Sequence, residues 1–492
     1  MHPNKKIFIY LIAGLLFTTS SCKKYLDVNK DPNVSQTATV QTLLPSCQIY
    51  LASAMGVDME INGSIWAQFW TQSPNASQYR PLEQYNVNAQ NYETPWTNLY
   101  AGGENLVQLD NLALAQNKKQ YRAISFLLKA YMFQVITDAW GDVPFSQALR
   151  GDGGITSPKY DAQQAIYTGL LGLVDSANAL IDPSDPANPG SDDLIYGGQM
   201  GQWQKFSNTL RLKILLRLSQ KDPGTAQAGI AELFAKNPYF LGSGDDAQVS
   251  FSSTSGNKNP LYSEETGLGF TQNLVASATC LDSMLSNNDP RISVFYEPDA
   301  NGAFTGIQQG NYGTSVSTES IPSFNVAGDA QSSQSALAPV KFLTGYESYF
   351  LQAEAIARGW ATGSDTSLFY QGIAANFTSY SSNFPDTVNV ATALANYETS
   401  SYWAIYPSGG STAQKIRAII TQKWFSMCGN QGFEAWTEWR RTGYPDFFTI
   451  SKSSLIGNNF PRRFLYPYSE VTRNLNFPGI KAVTVPVWWD NH

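Results

Sequence analysis

The chain has 492 residues, a formal net charge of −7 and an aromatic content of 13%. Its acidic balance, without a basic cluster, argues against nucleic acid as a partner. The only histidines are His2 and His492, so the body of the chain lacks the imidazole that Ser-His-Asp catalysis, Cys-His catalysis and most zinc sites require. Carboxylate chemistry, chiefly glycoside hydrolysis, is the enzyme class left open, and no cofactor or metal site is predicted.

The first 22 residues have the pattern of an export signal. Lys5 and Lys6 give a basic start, and residues 7–17 form an apolar run that is shorter than the roughly 20 residues needed to span a bilayer. Small polar residues then precede Cys22. This arrangement resembles a bacterial lipoprotein signal, and it predicts removal of residues 1–21 and attachment of lipid chains to Cys22. The alternative is ordinary secretion, with Cys22 as a plain cysteine.

The sequence after the signal predicts a polar linker, here called the leash, followed by one folded domain. Residues 22–40 are polar and are expected to connect the lipid anchor to a domain formed by residues 41–492. The first part of that domain, residues 41–240, is predicted to be a helical scaffold. Residues 121–140 are apolar on most faces, which is typical of a buried helix.

A second predicted helix follows Asp161. The pattern indicates that Asp161 caps this helix and that Ile166, Leu170 and Val174 lie on one apolar stripe. Helical periodicity is lost at about residue 241.

Residues 241–335 are rich in Gly, Ser, Asn and Thr, and they predict a loop-rich insertion with one short strand at 247–251. Helical periodicity returns over residues 340–440. There Ser411 and Gln414 have the spacing of a capping box.

The end of the chain, residues 440–492, is rich in Pro, Arg and aromatic residues and predicts an irregular wrap over the surface. Three further cysteines, Cys47, Cys280 and Cys428, are widely spaced. They are expected to be buried free thiols. From pattern alone, the fold class is mainly α.

Several short phrases resemble those of the SusD/RagB family of outer-membrane nutrient-binding lipoproteins. They occur in the expected order at residues 22–27 (CKKYLD), 140–145 (WGDVPF), 346–355 (YESYFLQAEA), 422–424 (QKW), 434–436 (EAW), 439–445 (WRRTGYP) and 461–463 (PRR). Each phrase is weak alone, but together they are specific.

The resemblance implies a TPR-like scaffold of helix pairs, packed against a loop-rich irregular half with few short strands. It also implies a binding protein and not an enzyme. Members of the family capture oligosaccharides, or in some branches peptides, and deliver them to SusC-like TonB-dependent barrels in the outer membranes of Bacteroidota. We therefore expect a lipid-anchored protein at the outer membrane that faces the cell exterior.

Aromatic residues in polar loops are the candidates for ligand contact. Flat rings can cover the C–H face of a sugar while amide and guanidinium groups donate hydrogen bonds to its hydroxyls. The predicted ligand-binding residues are Trp66, Trp70, Tyr79, Arg80, Tyr85 and Tyr312. Of these, Tyr312 is a weaker candidate, and Phe324 in the same Gly/Ser-rich region is another. The alternative for each aromatic ring is that it fills the core.

Three other functions remain open from the sequence. A peptide receptor of the same type is one, although the few charges in the candidate loops favour neutral glycans. A lipid-anchored glycosidase is another, with Glu347 and Glu354 as a possible carboxylate pair. The third is a structural lid without ligand affinity of its own.

Overall fold

A computed structural model describes residues 38–313 and 318–490. The predicted signal, the predicted lipid-attachment residue Cys22 and most of the predicted leash lie outside the described residues. The contacts group Val40–His492 into one unit. None of the helices in the described part is long and apolar enough to cross a membrane.

The described part is mainly helical, as predicted. Its α-helices are α1 (Val40–Ala54), α2 (Glu60–Trp66), α3 (Arg80–Glu83), α4 (Glu93–Ala115), α5 (Lys119–Trp140), α6 (Gln163–Asn178), α7 (Met200–Arg217), α8 (Pro223–Ala235), α9 (Pro260–Gly267), α10 (Ala278–Ser286), α11 (Ile292–Phe295), α12 (Gly345–Ala357), α13 (Asp365–Ser379), α14 (Val390–Ser400), α15 (Thr412–Ser426), α16 (Gly432–Thr442) and α17 (Tyr468–Arg473). Its strands are β1 (Trp70–Gln72), β2 (Val143–Pro144), β3 (Tyr160–Asp161), β4 (Ala247–Val249), β5 (Leu274–Ala276), β6 (Tyr296–Glu297), β7 (Ile321–Pro322) and β8 (Val340–Leu343).

Consecutive helices pack against each other and build the scaffold. Helix α5 packs on α4 and α6, α7 packs on α8, and α12 packs on α13 and α15. In α6, the predicted stripe of Ile166, Leu170 and Val174 is buried. Helix α5 is buried over most of its length, because it has neighbours on several sides. The prediction of helix pairs is confirmed.

The start of α6 differs from the prediction. Asp161 does not cap the helix but lies in β3, where its carboxylate accepts hydrogen bonds from the backbone N–H groups of Phe145 and Ser146. The N–H of Gln163 in the first turn instead donates to the carboxylate of Asp142 at 2.8 Å. A cap from another part of the chain satisfies the same need for an acceptor at a helix N-terminus. By contrast, the capping box predicted at the start of α15 is present.

The strands form four antiparallel pairs that join distant segments: β1 with β5, β2 with β3, β4 with β8, and β6 with β7. The strand predicted at 247–251 is present as β4 but ends at Val249. Residues 241–335 contain more regular structure than predicted, namely the helices α9, α10 and α11. These helices are short, and side-chain acceptors from Asn259 and Ser277 cap the first two.

Helices α2 and α16 approach each other closely. A Cβ atom on Gly63 would overlap the backbone nitrogen of Phe433, and one on Gly432 would overlap Ser64. This approach brings the ring centroids of Trp66 and Trp436 to 4.9 Å in an edge-on arrangement. Glycine is needed at both positions because the backbones meet without space for a side chain.

A group of charged side chains is buried where α5, α7, α12, α15 and α16 meet, and we call it the buried ion cluster. Its members are Asp138, Lys213, Arg217, Glu347, Glu354, Lys423, Glu434, Glu438 and Arg441. Burial alone would raise the pKa of Glu438, but the charges of Arg441, Lys423 and Arg217 hold it well below its usual value. The charges of the buried ion cluster are therefore paired, as buried charges must be.

Candidate ligand-binding surface

Two of the predicted ligand contacts lie in the core. Trp66 is 3% exposed, and its indole N–H donates to the carbonyl of Leu82 at 3.1 Å. Trp70 in β1 has no exposed surface, and the backbone of β1 is covered by β5. Neither ring has a face open to a sugar in this structure.

Tyr79 and Tyr85 are also buried. The hydroxyl of Tyr79 donates to the carboxylate of Glu265 at 2.6 Å, and the hydroxyl of Tyr85 accepts from the backbone N–H of Ser451. Burial raises the pKa of both tyrosines. We therefore assign Tyr79, Tyr85, Trp66 and Trp70 to the packing beneath the loops instead of to ligand contact. Arg80 and Tyr312 remain predicted ligand contacts.

Arg80 and Tyr312, which are far apart in the sequence, come together at the surface. The guanidinium carbon of Arg80 lies 5.1 Å from the ring centroid of Tyr312, a distance typical of a cation–π contact. The amide of Gln84 donates to the Tyr312 hydroxyl at 2.9 Å. Both side chains are partly exposed. A ring and donors that are already oriented suit a ligand with hydroxyl groups.

The buried carboxyl group of Glu83 connects three segments of the chain near Arg80 and Tyr312. It accepts hydrogen bonds from the backbone N–H of Gln72 at 3.0 Å and from the amide of Gln309 at 2.9 Å, and the hydroxyl of Ser451 lies 3.5 Å away. Burial raises the pKa of Glu83 to about 7, although these hydrogen bonds lower it in part. One side chain thus joins β1, the loop that carries Tyr312 and the C-terminal segment.

A cleft of about 570 Å³ opens beside the loop that carries Tyr312. Its polar lining residues are Thr279, Asp282, Ser283, Gln308, Gln309, Thr449 and Lys452, and Ala278, Phe447 and Ile450 complete the lining. The N–H of Asn311 donates to the carbonyl of Gln308 at 2.9 Å. The same turn therefore places Gln308 in the cleft and Tyr312 beside it. Burial raises the pKa of Asp282. We call this cleft, together with Arg80 and Tyr312, the candidate surface.

The cleft residues were not predicted from the sequence. Most of them are small or polar, and they lie in three separate segments of the chain, so no local pattern distinguishes them. Phe324, the weaker aromatic candidate, is half-exposed but lines a different cleft of about 340 Å³, together with Tyr380 and Asn383. The structure does not bring Phe324 into the candidate surface.

The carboxylate pair considered for glycoside hydrolysis is not at a surface. Glu347 lies 3.1 Å from the ammonium group of Lys213, and Glu354 is paired with Arg358 and Arg441, each at 2.7 Å. Both glutamates are fully buried within the buried ion cluster. Burial would raise the pKa of Glu354, but Arg441 and Arg358 leave it below its usual value. Neither carboxylate can reach a glycosidic bond in this arrangement.

Comparison with known proteins identifies the family. A SusD-like family model, described as starch-binding and associating with the outer membrane, matches residues 32–467. The chain belongs to this SusD-like family, as its sequence phrases predicted. The family is one of binding proteins associated with the outer membrane. No curated protein sequence matches the chain at a significant level.

Solved structures share the fold. A SusD homologue from Bacteroides fragilis is 22% identical, with a TM-score of 0.74 over 92% of this chain and 99% of that one. A chitin-binding protein is 23% identical, with a TM-score of 0.75 over 92% of this chain and 100% of the other. A chitin-binding SusD homologue from Flavobacterium johnsoniae is 20% identical, with a TM-score of 0.72 over 92% and 99%. At these identities the likeness establishes the fold.

Proposed function

We propose that this protein binds a neutral glycan oligomer at the candidate surface and delivers it to a SusC-like TonB-dependent barrel. The observation that carries the proposal is the oriented Arg80–Tyr312 pair beside a cleft to which the Tyr312 loop contributes Gln308 and Gln309. Family membership and the two chitin-binding structural neighbours support a glycan as the ligand class.

The first experiment identifies the ligand and tests for chemistry on it. Protein that begins after Cys22 is incubated with chitin and starch oligosaccharides, other glycans and peptides, and the bound fraction and the intact fraction of each are measured. Bound and intact glycan is the expected result. Bound peptide would assign the protein to the peptide-binding type, and cleaved glycan would make it an enzyme. Binding of none would favour a structural lid.

Arg80→Ala is expected to weaken glycan binding by about 1.5–3 kcal/mol, the usual contribution of a hydrogen bond that involves a charged group. Calorimetric titration with the bound glycan measures this loss. Arg150→Ala removes an exposed arginine outside the candidate surface and should leave the affinity unchanged. Equal affinities of both variants and the unchanged protein would remove Arg80 from the site.

The lipid anchor remains a prediction, because Cys22 lies outside the described residues. Cys22→Ala is expected to release the protein from membranes, since each buried methylene of an acyl chain contributes about 0.8 kcal/mol to anchoring. Cell fractionation combined with a fatty-acid label measures both attachment and location. Membrane retention of the variant without label would contradict a lipid anchor at Cys22.

The proposed barrel partner is tested by mild detergent extraction of the outer membrane. Recovery of a large β-barrel with the tagged protein is expected. Repeated recovery of the protein alone, under conditions in which outer-membrane complexes survive, would contradict the delivery step but not the binding of glycan.

A further inference from the structure

An aromatic groove lies between the turn that precedes α15 and α15 itself. Tyr402 is 67% exposed and Ile405 is 54% exposed, while Trp403 between them is half-buried. These side chains, with Pro407, form one wall of a groove of about 360 Å³, and Arg417 lies on the other. That volume falls within the range of about 300–1,000 Å³ that is typical of small-ligand sites.

The groove is rigidly built around Trp403. The backbone N–H of Trp403 donates to the side chain of Asn287 at 3.4 Å, and its carbonyl accepts from the amide of Gln422 at 2.7 Å. The ring of Phe447 supports the indole at a centroid distance of 5.5 Å. Tyr402 meets Trp403 edge-on, with ring centroids 4.9 Å apart. The exposed ring of Tyr402, supported by Trp403 in this way, loses little entropy when it binds a ligand.

The charges in the groove are balanced. Arg417 lies 4.7 Å from the ring centroid of Trp403, and it donates two hydrogen bonds to Asp446 at 2.8 and 2.9 Å. The side-chain oxygen of the exposed Gln414 accepts from the N–H of Ser411, which leaves its amide nitrogen directed to other acceptors. A neutral ligand with hydroxyl groups and a flat apolar face matches these features.

The groove is small for a protein partner. Stable protein interfaces use about 20–30 residues a side, whereas the apolar part of this groove consists of five side chains. The groove is also next to the candidate surface, because Phe447, which supports Trp403, lines the cleft that contains Asp282 and Gln308. A glycan bound in that cleft therefore has an aromatic site beside it.

We infer that Tyr402 and Trp403 form a second stacking site for a sugar ring of a neutral glycan. This inference rests on the proposed glycan-binding function and adds a site to it. A sugar ring lies against the exposed ring of Tyr402, which Trp403 holds in place, and the amide of Gln414 donates to its hydroxyls. A ligand of several sugar units can then contact both the candidate surface and the groove.

The test uses chitin and amylose oligosaccharides of two to eight units. Tyr402→Ala is expected to weaken binding of the long ligands by about three- to tenfold, the range expected for one aromatic contact. Tyr468→Ala, which removes a tyrosine that is 57% exposed in α17, should have no effect. The indole N–H signal of Trp403, assigned by its loss in Trp403→Phe, should shift during titration with sugar.

The outcomes separate the two proposals. If the unchanged protein binds glycan, but Tyr402→Ala behaves like Tyr468→Ala and the Trp403 signal does not move, the second site is wrong and the proposed function stands. If no glycan binds and only a peptide moves the Trp403 signal, the glycan class is wrong for the whole protein. A Trp403 shift that persists in Arg80→Ala would establish the groove as a separate site.

Discussion

Replacing Arg441 by alanine is expected to lower the free energy of unfolding by about 3–5 kcal/mol, the range found when one partner of a buried ion pair is removed. Arg441 is 1% exposed. It donates to both carboxylate oxygens of Glu354 at 2.7 Å and to those of Glu438 at 2.6 and 3.0 Å. Alanine would leave two carboxylates in the core without this partner. Urea unfolding followed by tryptophan fluorescence measures the loss.

The matched control for Arg441→Ala is Lys236→Ala. Lys236 forms an ion pair with Glu232 at 2.7 Å, but both side chains are more than half exposed. Solvent screens such a pair, so a change below about 1 kcal/mol is expected. If Arg441→Ala costs no more than this control, the buried ion cluster does not stabilise the fold as its geometry indicates.

Trp70→Ala is expected to destabilise the protein by about 3–5 kcal/mol, as large-to-small substitutions of buried tryptophan do. The Trp70 side chain has no exposed surface, and its indole N–H has no hydrogen-bond partner among the described residues. The loss therefore comes from packing and from the cavity that alanine leaves. Thermal unfolding and glycan binding should be measured on the same sample.

Leu475→Ala provides the control for Trp70→Ala, because Leu475 is 91% exposed. Its removal should change stability by no more than about 0.5 kcal/mol. A Trp70→Ala protein that keeps its melting temperature and loses glycan binding would restore Trp70 as a ligand contact. In that case the ring would have to become exposed when the ligand binds.

The helices that could be predicted from the sequence are those with a strong local signal. The apolar stripe of α6 and the Ser411–Gln414 capping box depend on residues close together in the chain, and both are present. The cap of α6 could not be found in the same way. Asp161 and Asp142 are both acids within reach of that helix, and only the tertiary fold decides which of them accepts its N–H groups.

The short helices α9 and α10 were obscured by the composition of residues 241–335. A local signal was present, since Asn259 precedes Pro260 and its side chain accepts from Leu261 at 2.8 Å. Proline in the first helical turn after an asparagine cap is a common helix start. The many Gly and Ser residues around it favoured loops, and tertiary packing overrode that preference.

The site was the least predictable part, because an aromatic residue in a polar segment looks the same whether it is buried or exposed. Trp66 is buried because α16, far along the chain, covers it with Trp436. Tyr402 is exposed, whereas Trp403, the next residue of the same turn, is half-buried. Arg80 and Tyr312 could be predicted together as polar-loop candidates, but their contact depends on a loop closure that the local sequence does not specify.

The close approach of α2 and α16 has a consequence for how the domain folds. The N–H of Gly432 donates to the carboxylate of Glu60 at 3.0 Å across 372 positions of the chain. Contacts between such distant segments form late, since the entropy of closing the intervening loop must be paid before they contribute. A chain that ends before α16 would expose the face of Trp66. The core can be completed only when nearly all of the polypeptide is available. We therefore expect the native fold to form only after α16 has been synthesised.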